Sequence, residues 1–211
     1  MHVSELWRYP VKSLAGEPLT VSEVGLDGIV GDRLVQVRNG RGKVVTARTK
    51  PRLLGLHGTL GPDGEPLIEG RSWTALESLE LVRAAAGKDT HLLLAEPADR
   101  FDVLPLLVAT DGAIRALGVD RRRLRPNIVI AGVPGLEERT WPGRQLRIGR
   151  GIVAPIKVRQ RCVMTTYDPD TLEQDLSVLR RIVKEFDGVM ALDCAVLKGG
   201  PVAVGDSVTL L

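Results

Sequence analysis

Residues 32–47 read DRLVQVRNGRGKVVTA. Leu34, Val35 and Val37 form a short apolar run, Asn39, Gly40, Arg41 and Gly42 supply turn chemistry, and Val44 to Ala47 return the chain, which is the pattern of a β-hairpin. The composition of the 211 residues extends that reading. With 23 Gly, 13 Pro and only 3% aromatic residues, the core has to be built from Val, Leu, Ile and Ala between many turns. A β-rich fold follows, and the length suits one large or two small domains.

Working outward, a second turn lies at Gly61 to Gly64, and Leu76 to Ala86 reads as a short helix or strand closed by Gly87, Lys88 and Asp89. Glu96 to Asp99 breaks the periodicity and divides the chain into residues 1–95 and 96–211. In the second part Val103 to Ala109 is nearly continuous apolar sequence, and Thr110 and Asp111 can cap a short helix ending at Gly118. Leu124–Ala131 and Leu146–Val158 read as strands. Leu172, Leu176, Leu179, Val183 and Phe186 step by four, three, four and three, one face of an amphipathic helix with Thr171 and Gln174 as its capping box. Val189–Leu197 and Val202–Leu211, joined through Gly199 and Gly200, close the chain as strands.

Several function classes drop out. Cys162 and Cys194 cannot make a disulfide framework, and His2, His57 and His91 are too scattered to join them in a zinc site. There is no apolar run of signal or membrane-spanning length, so a cytoplasmic protein with no membrane partner is expected. No phosphate loop, GxGxxG, HExxH, CxxC or GxSxG pattern occurs, and no histidine has an acid placed for a nucleophilic triad. Few stacking aromatics and no RRM, KH or helix-turn-helix pattern argue against a nucleic-acid partner.

Charge is unevenly placed. Between Arg115 and Arg161 twelve Lys or Arg face three acids, a local +9, in a chain whose total is +3 and whose remainder is therefore −6. Such a segment suits an anionic ligand, with Arg121, Arg122 and Arg123 read as a solvated loop face. Within it, Cys162 follows Arg159, Gln160 and Arg161 where a strand runs out. Two neighbouring guanidinium groups stabilise a thiolate, the form needed for nucleophilic sulfur chemistry and for metal ligation. Cys194, inside an apolar run, reads as core.

Arg125 and Asn127 flank Pro126, which keeps Arg125 out of the α region and presents it from an extended segment entering a strand, where the pair can clamp a phosphate or a heterocycle edge. Lys12 and Ser13 follow a Pro-anchored strand, with Arg33 and Arg48 further on. Together these residues outline an anion pocket between the two parts of the chain.

In order and content these motifs resemble the MOSC family, the molybdenum-cofactor sulfurase C-terminal domain group, with its N-terminal β-barrel companion. The resemblance spans nearly the whole chain: Tyr-Pro-Val-Lys-Ser at 9–13, Gly-Asp-Arg at 31–33, Thr-Ala-Arg at 46–48, Arg-Pro-Asn-Ile-Val at 125–129, Arg-Cys-x-x-Thr-Thr at 161–166, Asp-Pro-Asp-Thr at 168–171 and Val-Gly-Asp-x-Val at 204–208. It implies a mixed α+β, β-rich fold: an N-terminal β-barrel-like domain (1–95) and a MOSC β-barrel with a few helices (96–211) that carries the cysteine. It further implies a molybdenum cofactor, with Cys162 as metal ligand and catalytic residue and Lys12, Ser13, Arg33, Arg48, Thr110, Arg125, Asn127 and Arg161 holding the phosphate and pterin. Similarity to the amidoxime-reducing members implies an oxidoreductase for small N-hydroxylated compounds, fed by a separate electron-donor protein. The alternative is a persulfide or cofactor carrier with a sulfur donor as partner. Two departures stand out: Ala113 replaces a Ser found in many relatives, and Arg159 replaces a Cys common three positions before the ligand cysteine.

Overall fold

The computed structural model describes residues 1–211 and is mixed α+β and β-rich. The first part runs β1 (His2–Arg8), β2 (Glu17–Leu19), β3 (Val21–Gly25), β4 (Gly28–Ile29), β5 (Val35–Arg38), β6 (Val44–Val45), β7 (Gly58–Leu60), β8 (Pro66–Ile68), β9 (Arg71–Ser72), α1 (Leu76–Ala86) and β10 (His91–Leu94). The second runs β11 (Leu106–Thr110), α2 (Asp111–Leu117), β12 (Ile128–Ala131), β13 (Leu146–Ile148), β14 (Gly151–Gln160), α3 (Leu176–Phe186), β15 (Val189–Lys198), β16 (Gly200–Ala203) and β17 (Val208–Leu210). No helix is long and apolar enough to cross a membrane.

The quoted hairpin forms, β5 pairing antiparallel with β6, and β10 pairs on the other edge of β5. This three-stranded sheet encloses a core of Val11, Leu14, Val35, Val37, Leu53, Ile68 and Val82, among others. The large sheet has eight strands in the order β17-β13-β14-β15-β11-β12-β1-β2. Its β1 and β2 come from the start of the chain, and β16 pairs with β3, so sheet membership does not follow a division at residue 95. The larger core, with Trp141, Leu6, Ile128, Leu192 and Cys194, packs against that sheet.

Four sequence readings shift, the first being that Val202–Leu211 is two strands, β16 and β17, separated by a turn with Gly205 at φ +94. The run Leu146–Val158 is a hairpin rather than one strand, because Gly149 turns at φ +53. The strand around 124–131 begins only at Ile128, since Arg125 takes a left-handed φ of 54. In α3 the capping residue is Asp175, whose side chain accepts from Ser177 N, and the buried face is Val178, Ile182 and Phe186. Leu176 and Val183 are exposed, and Leu172 sits outside the helix at φ +61. The reason is local: Asp168 Oδ1 accepts from the amides of Asp170 and Thr171, each at 3.0 Å, and folds residues 168–171 into a turn. Gln174 then donates to Thr166 Oγ1 at 3.2 Å instead of completing a cap.

The β11–α2 junction is held by its caps. Thr110 Oγ1 accepts from Ala113 N at 3.2 Å, and Gly118 ends the helix in the left-handed region. Gly112 is required because a Cβ there would overlap the carbonyl oxygen of Val133. Asp111 accepts from Val133 N at 3.0 Å, Gly132 N at 3.1 Å and Arg115 Nη1 at 2.8 Å. Burial disfavours its charge, but these donors outweigh burial and hold its pKa at about 2.

A carboxyl held below its unfolded value stabilises the fold above that value and loses the contribution as pH falls through the folded pKa. Asp111→Asn is therefore expected to cost about 2 kcal/mol at pH 7, with the gap between variant and wild type closing between about pH 4 and pH 2. Urea denaturation of both proteins across that range checks it; a gap independent of pH would contradict it.

Candidate active site

Beneath the seam between the two sheets lies a cavity of about 140 Å³ lined by seven basic side chains and one thiol. Each arrives by a separate local device. After β1 the chain lays Pro10–Lys12 along β5, Lys12 N donating to Val35 O at 2.8 Å and Val35 N to Pro10 O at 3.1 Å, which carries Lys12 and Ser13 into the cavity wall. Ser13, at φ +73, makes the turn that follows. Arg33, also left-handed, donates its backbone N–H to Tyr9 O at 2.8 Å. Arg48 comes from the loop after β6, Arg125 from the bend before β12, and Arg159 and Arg161 from the end of β14. Cys162, half-buried, starts the turn Val163–Thr166, and its carbonyl is fixed by Thr165 N at 3.1 Å and Thr165 Oγ1 at 2.9 Å.

One buried carboxylate organises the wall. Asp32, without solvent exposure, accepts from Tyr9 N at 2.7 Å and from Asn127 Nδ2 at 3.2 Å, and it pairs with Arg33. Asn127 in turn accepts from Leu107 N at 3.1 Å and from Arg33 Nη1 at 3.3 Å and donates to Trp7 O at 3.3 Å. All four hydrogen-bonding positions of its amide are thereby used within the protein, one of them on Arg33. The Tyr9 ring lies 4.6 Å from the Arg33 guanidinium and 4.3 Å from that of Arg125, and burial pushes its phenol up to about 12.

The cations fall into two groups: Lys12, Arg33, Arg48 and Arg159 pair with carboxylates, and Arg100, Arg125 and Arg161 do not. Lys12 Nζ is 2.8 Å from Asp102, whose other oxygen pairs with Arg48; Arg159 pairs with the fully buried Asp193. Burial opposes ionisation of Asp102, yet Lys12 and Arg48 hold its carboxyl below the usual range. Arg125 and Arg161 have backbone partners only, Leu14 O at 2.6 Å and Leu124 O at 2.8 Å. Burial pushes both guanidinium groups down to about 10, helped at Arg161 by repulsion from Arg159. Arg161 Nε is buried with no partner at all. These two side chains lack an anion. For Arg48 burial is outweighed by Cys162 and Asp102, so its pKa is raised.

Of the residues picked from sequence, Lys12, Ser13, Arg33, Arg48, Arg125, Asn127, Arg161 and Cys162 line this one cavity. Thr110 does not. Its hydroxyl caps α2 and donates to Glu138 Oε2 at 3.1 Å within the core. Arg125 leaves the α region, as Pro126 requires, but by a left-handed bend and not an extended approach. Arg121 to Arg123 are paired rather than solvated: Arg121 with Glu5, Arg122 between Asp120 and Asp170 at 2.7 Å each, and Arg123 with Asp168 at 3.0 Å and Thr166 O at 2.9 Å. They tie the bend before Arg125 to the loop after Cys162. Cys194 is buried core, its thiol pushed up by burial.

Sequence reasoning missed Arg100, Asp102 and Asp193. The first two lie just past Glu96 to Asp99, the stretch read as a boundary, and Arg100 Nη2 donates to Asp32 O at 2.7 Å. The alternation Asp99-Arg100-Phe101-Asp102 was the available signal. No group of three or more His, Cys, Asp or Glu side chains is placed to hold a metal ion.

Residues 87–209 match the MOSC domain family, and residues 1–100 match the MOSC N-terminal beta barrel domain family. A Macaca fascicularis protein named mitochondrial amidoxime reducing component 2 is 30% identical, covering 80% of this chain and 67% of that protein. The Homo sapiens protein of the same name is 28% identical, covering 98% of this chain and 82% of that protein. Among solved structures, the YUAD protein from Bacillus subtilis shares the fold, with a TM-score of 0.54 at 13% identity over 99% of this chain and 93% of that one.

Asn127→Ala is expected to lower stability by about 3 kcal/mol, because the Leu107 amide and the Asp32 carboxylate are left short of partners in the interior. Urea denaturation at neutral pH measures it; a loss below about 1 kcal/mol, the scale of one ordinary hydrogen bond, would show that the node is dispensable.

Proposed function

The chain belongs to the MOSC domain family, and on that footing we propose that its cation-lined cavity holds a molybdenum cofactor and that the protein reduces small N-hydroxylated compounds. The observation that carries the proposal is the meeting of a half-buried thiol with Arg125 and Arg161, two half-buried cations that have no carboxylate partner. Relatives named amidoxime reducing components support the reaction class.

The donor set fits such a group. A soft thiolate suits a sulfur-rich metal centre, and guanidinium forks suit a phosphate tail. Cys162 would ligate the metal. Lys12, Ser13, Arg33, Arg48, Arg125 and Arg161 would hold the phosphate and pterin, with Asn127 and Asp32 fixing Arg33 from behind. The orphaned Arg161 Nε is a donor that a bound acceptor would satisfy. When bound, the molybdenum centre supplies the oxygen-atom acceptance that no side chain here offers.

The chain's own residues bind, orient and balance charge. Arg125 and Arg161, half-buried and without a carboxylate, would bind an anion more strongly than fully exposed cations because less water competes for them. Asp102 already occupies Lys12 and Arg48, so it limits how much negative charge this side of the cavity accepts. The reaction R–NH–OH + 2e⁻ + 2H⁺ → R–NH₂ + H₂O needs two electrons. Cys162 and Cys194 are 32 positions apart in sequence and Cys194 is buried in the core, so these two residues do not make a four-thiolate cluster site, and in this proposal a separate electron-donor protein supplies the electrons.

Protein produced in a host that makes the cofactor is expected to carry molybdenum and to reduce a hydroxylamine-type substrate with a chemical reductant. Cys162→Ser is expected to lose both while keeping the wild-type circular dichroism spectrum. Folded wild-type protein free of molybdenum, or a Cys162→Ser variant with undiminished metal, would refute the proposal; a removable sulfur adduct on Cys162 without molybdenum would point instead to a carrier.

A further inference from the structure

A second cavity, of about 240 Å³, lies beyond Arg125 and Met164, the two side chains that line it and the thiol cavity alike. Both parts of the chain build it, Trp7, Tyr9 and Ala15 from one side and Tyr167 and Pro169 from the other. Its wall is unusual for this sequence. The chain contains only three Trp, two Tyr and two Phe, and three of those seven rings line this one space.

Trp7 Nε1 is engaged by Glu5 Oε2 at 2.8 Å and Tyr9 Oη by Pro126 O at 3.1 Å, so the polar ends are already satisfied within the protein. Charge is muted in the same way, because Arg122 and Arg123 at the wall are paired with Asp120, Asp170 and Asp168. Arg125 is the one cation here without a carboxylate, and its guanidinium can lie against a π-face as it already lies against Tyr9. A void walled by aromatic carbon forfeits dispersion contacts on its open side, so a flat guest is favoured there.

We propose that this chamber is a second ligand site, for a flat, uncharged aromatic molecule lying against Trp7 and Tyr167 with Arg125 beside it. The site does not depend on a cofactor being present, so its failure would leave the function proposed above untouched.

Quinoline serves as the probe, with the full chain at pH 7.5 and binding followed by quenching of tryptophan fluorescence and by saturation-transfer NMR. Saturable binding to the wild type is expected. Tyr167→Ala is expected to weaken it about tenfold, in line with the worth of one stacking ring, and Ala15→Phe, which fills the chamber, to abolish it. Lys12→Ala, in the neighbouring cavity, is expected to leave it unchanged. Absence of saturable binding, equal binding to wild type, Tyr167→Ala and Ala15→Phe, or loss on Lys12→Ala would each overturn the assignment, the last by placing the probe in the thiol cavity.

Discussion

The Asp32 carboxylate is the contact on which the rest of the site depends. A carboxylate without solvent exposure is costly unless every oxygen is matched, and here the Tyr9 amide, the Asn127 amide and the Arg33 guanidinium match it. Those three donors belong to three separate parts of the chain: the end of β1, the bend before β5 and the start of β12. Arg100, from the link between β10 and β11, adds a fourth tie through the Asp32 carbonyl. Any slippage between the sheets would strand a buried charge. The cation-bearing segments are thereby held in register with one another, although no strand ladder joins them all.

The second constraint is electrostatic. Seven basic side chains around one cavity repel one another, and the protein offsets part of that with Asp32, Asp102 and Asp193. It does not offset all of it. Arg125 and Arg161 are left with carbonyl partners, and burial pulls both down toward about 10. Partly desolvated cations without counter-charges reduce stability. Under the proposed function the same shortfall would give an incoming anion its affinity.

Local chemistry was legible in the sequence where it acts over a few residues. The Asn-Gly turn of the first hairpin, the Gly87 stop after α1 and the Thr110 cap with its Gly118 terminator each depend on near neighbours and appear as read. Cys162, Lys12, Arg33, Arg125 and Arg161 could be gathered because each stands beside a Pro, Gly or strand end. What was hidden depends on distant partners. β1 pairs with β12 across more than a hundred residues, and nothing in either segment announces the other. Asp168 accepts two amides and so delays α3, which moves the buried stripe onto Val178, Ile182 and Phe186 despite an apolar pattern that pointed elsewhere. Asp102 lay in a stretch without periodicity, and its role exists only once Lys12 and Arg48 reach the same place. Arg121 to Arg123 look like a solvated run until Glu5, Asp120, Asp168 and Asp170 fold over them.

Anomalous diffraction at the molybdenum edge, on crystals of protein purified from a cofactor-producing host, interrogates this assembly most directly. The account predicts one peak bonded to the Cys162 Sγ, with the rest of the cofactor density in the cavity lined by Lys12, Arg33, Arg125 and Arg161. Crystals of the folded protein with no peak there, or with a peak held by other residues, would contradict it.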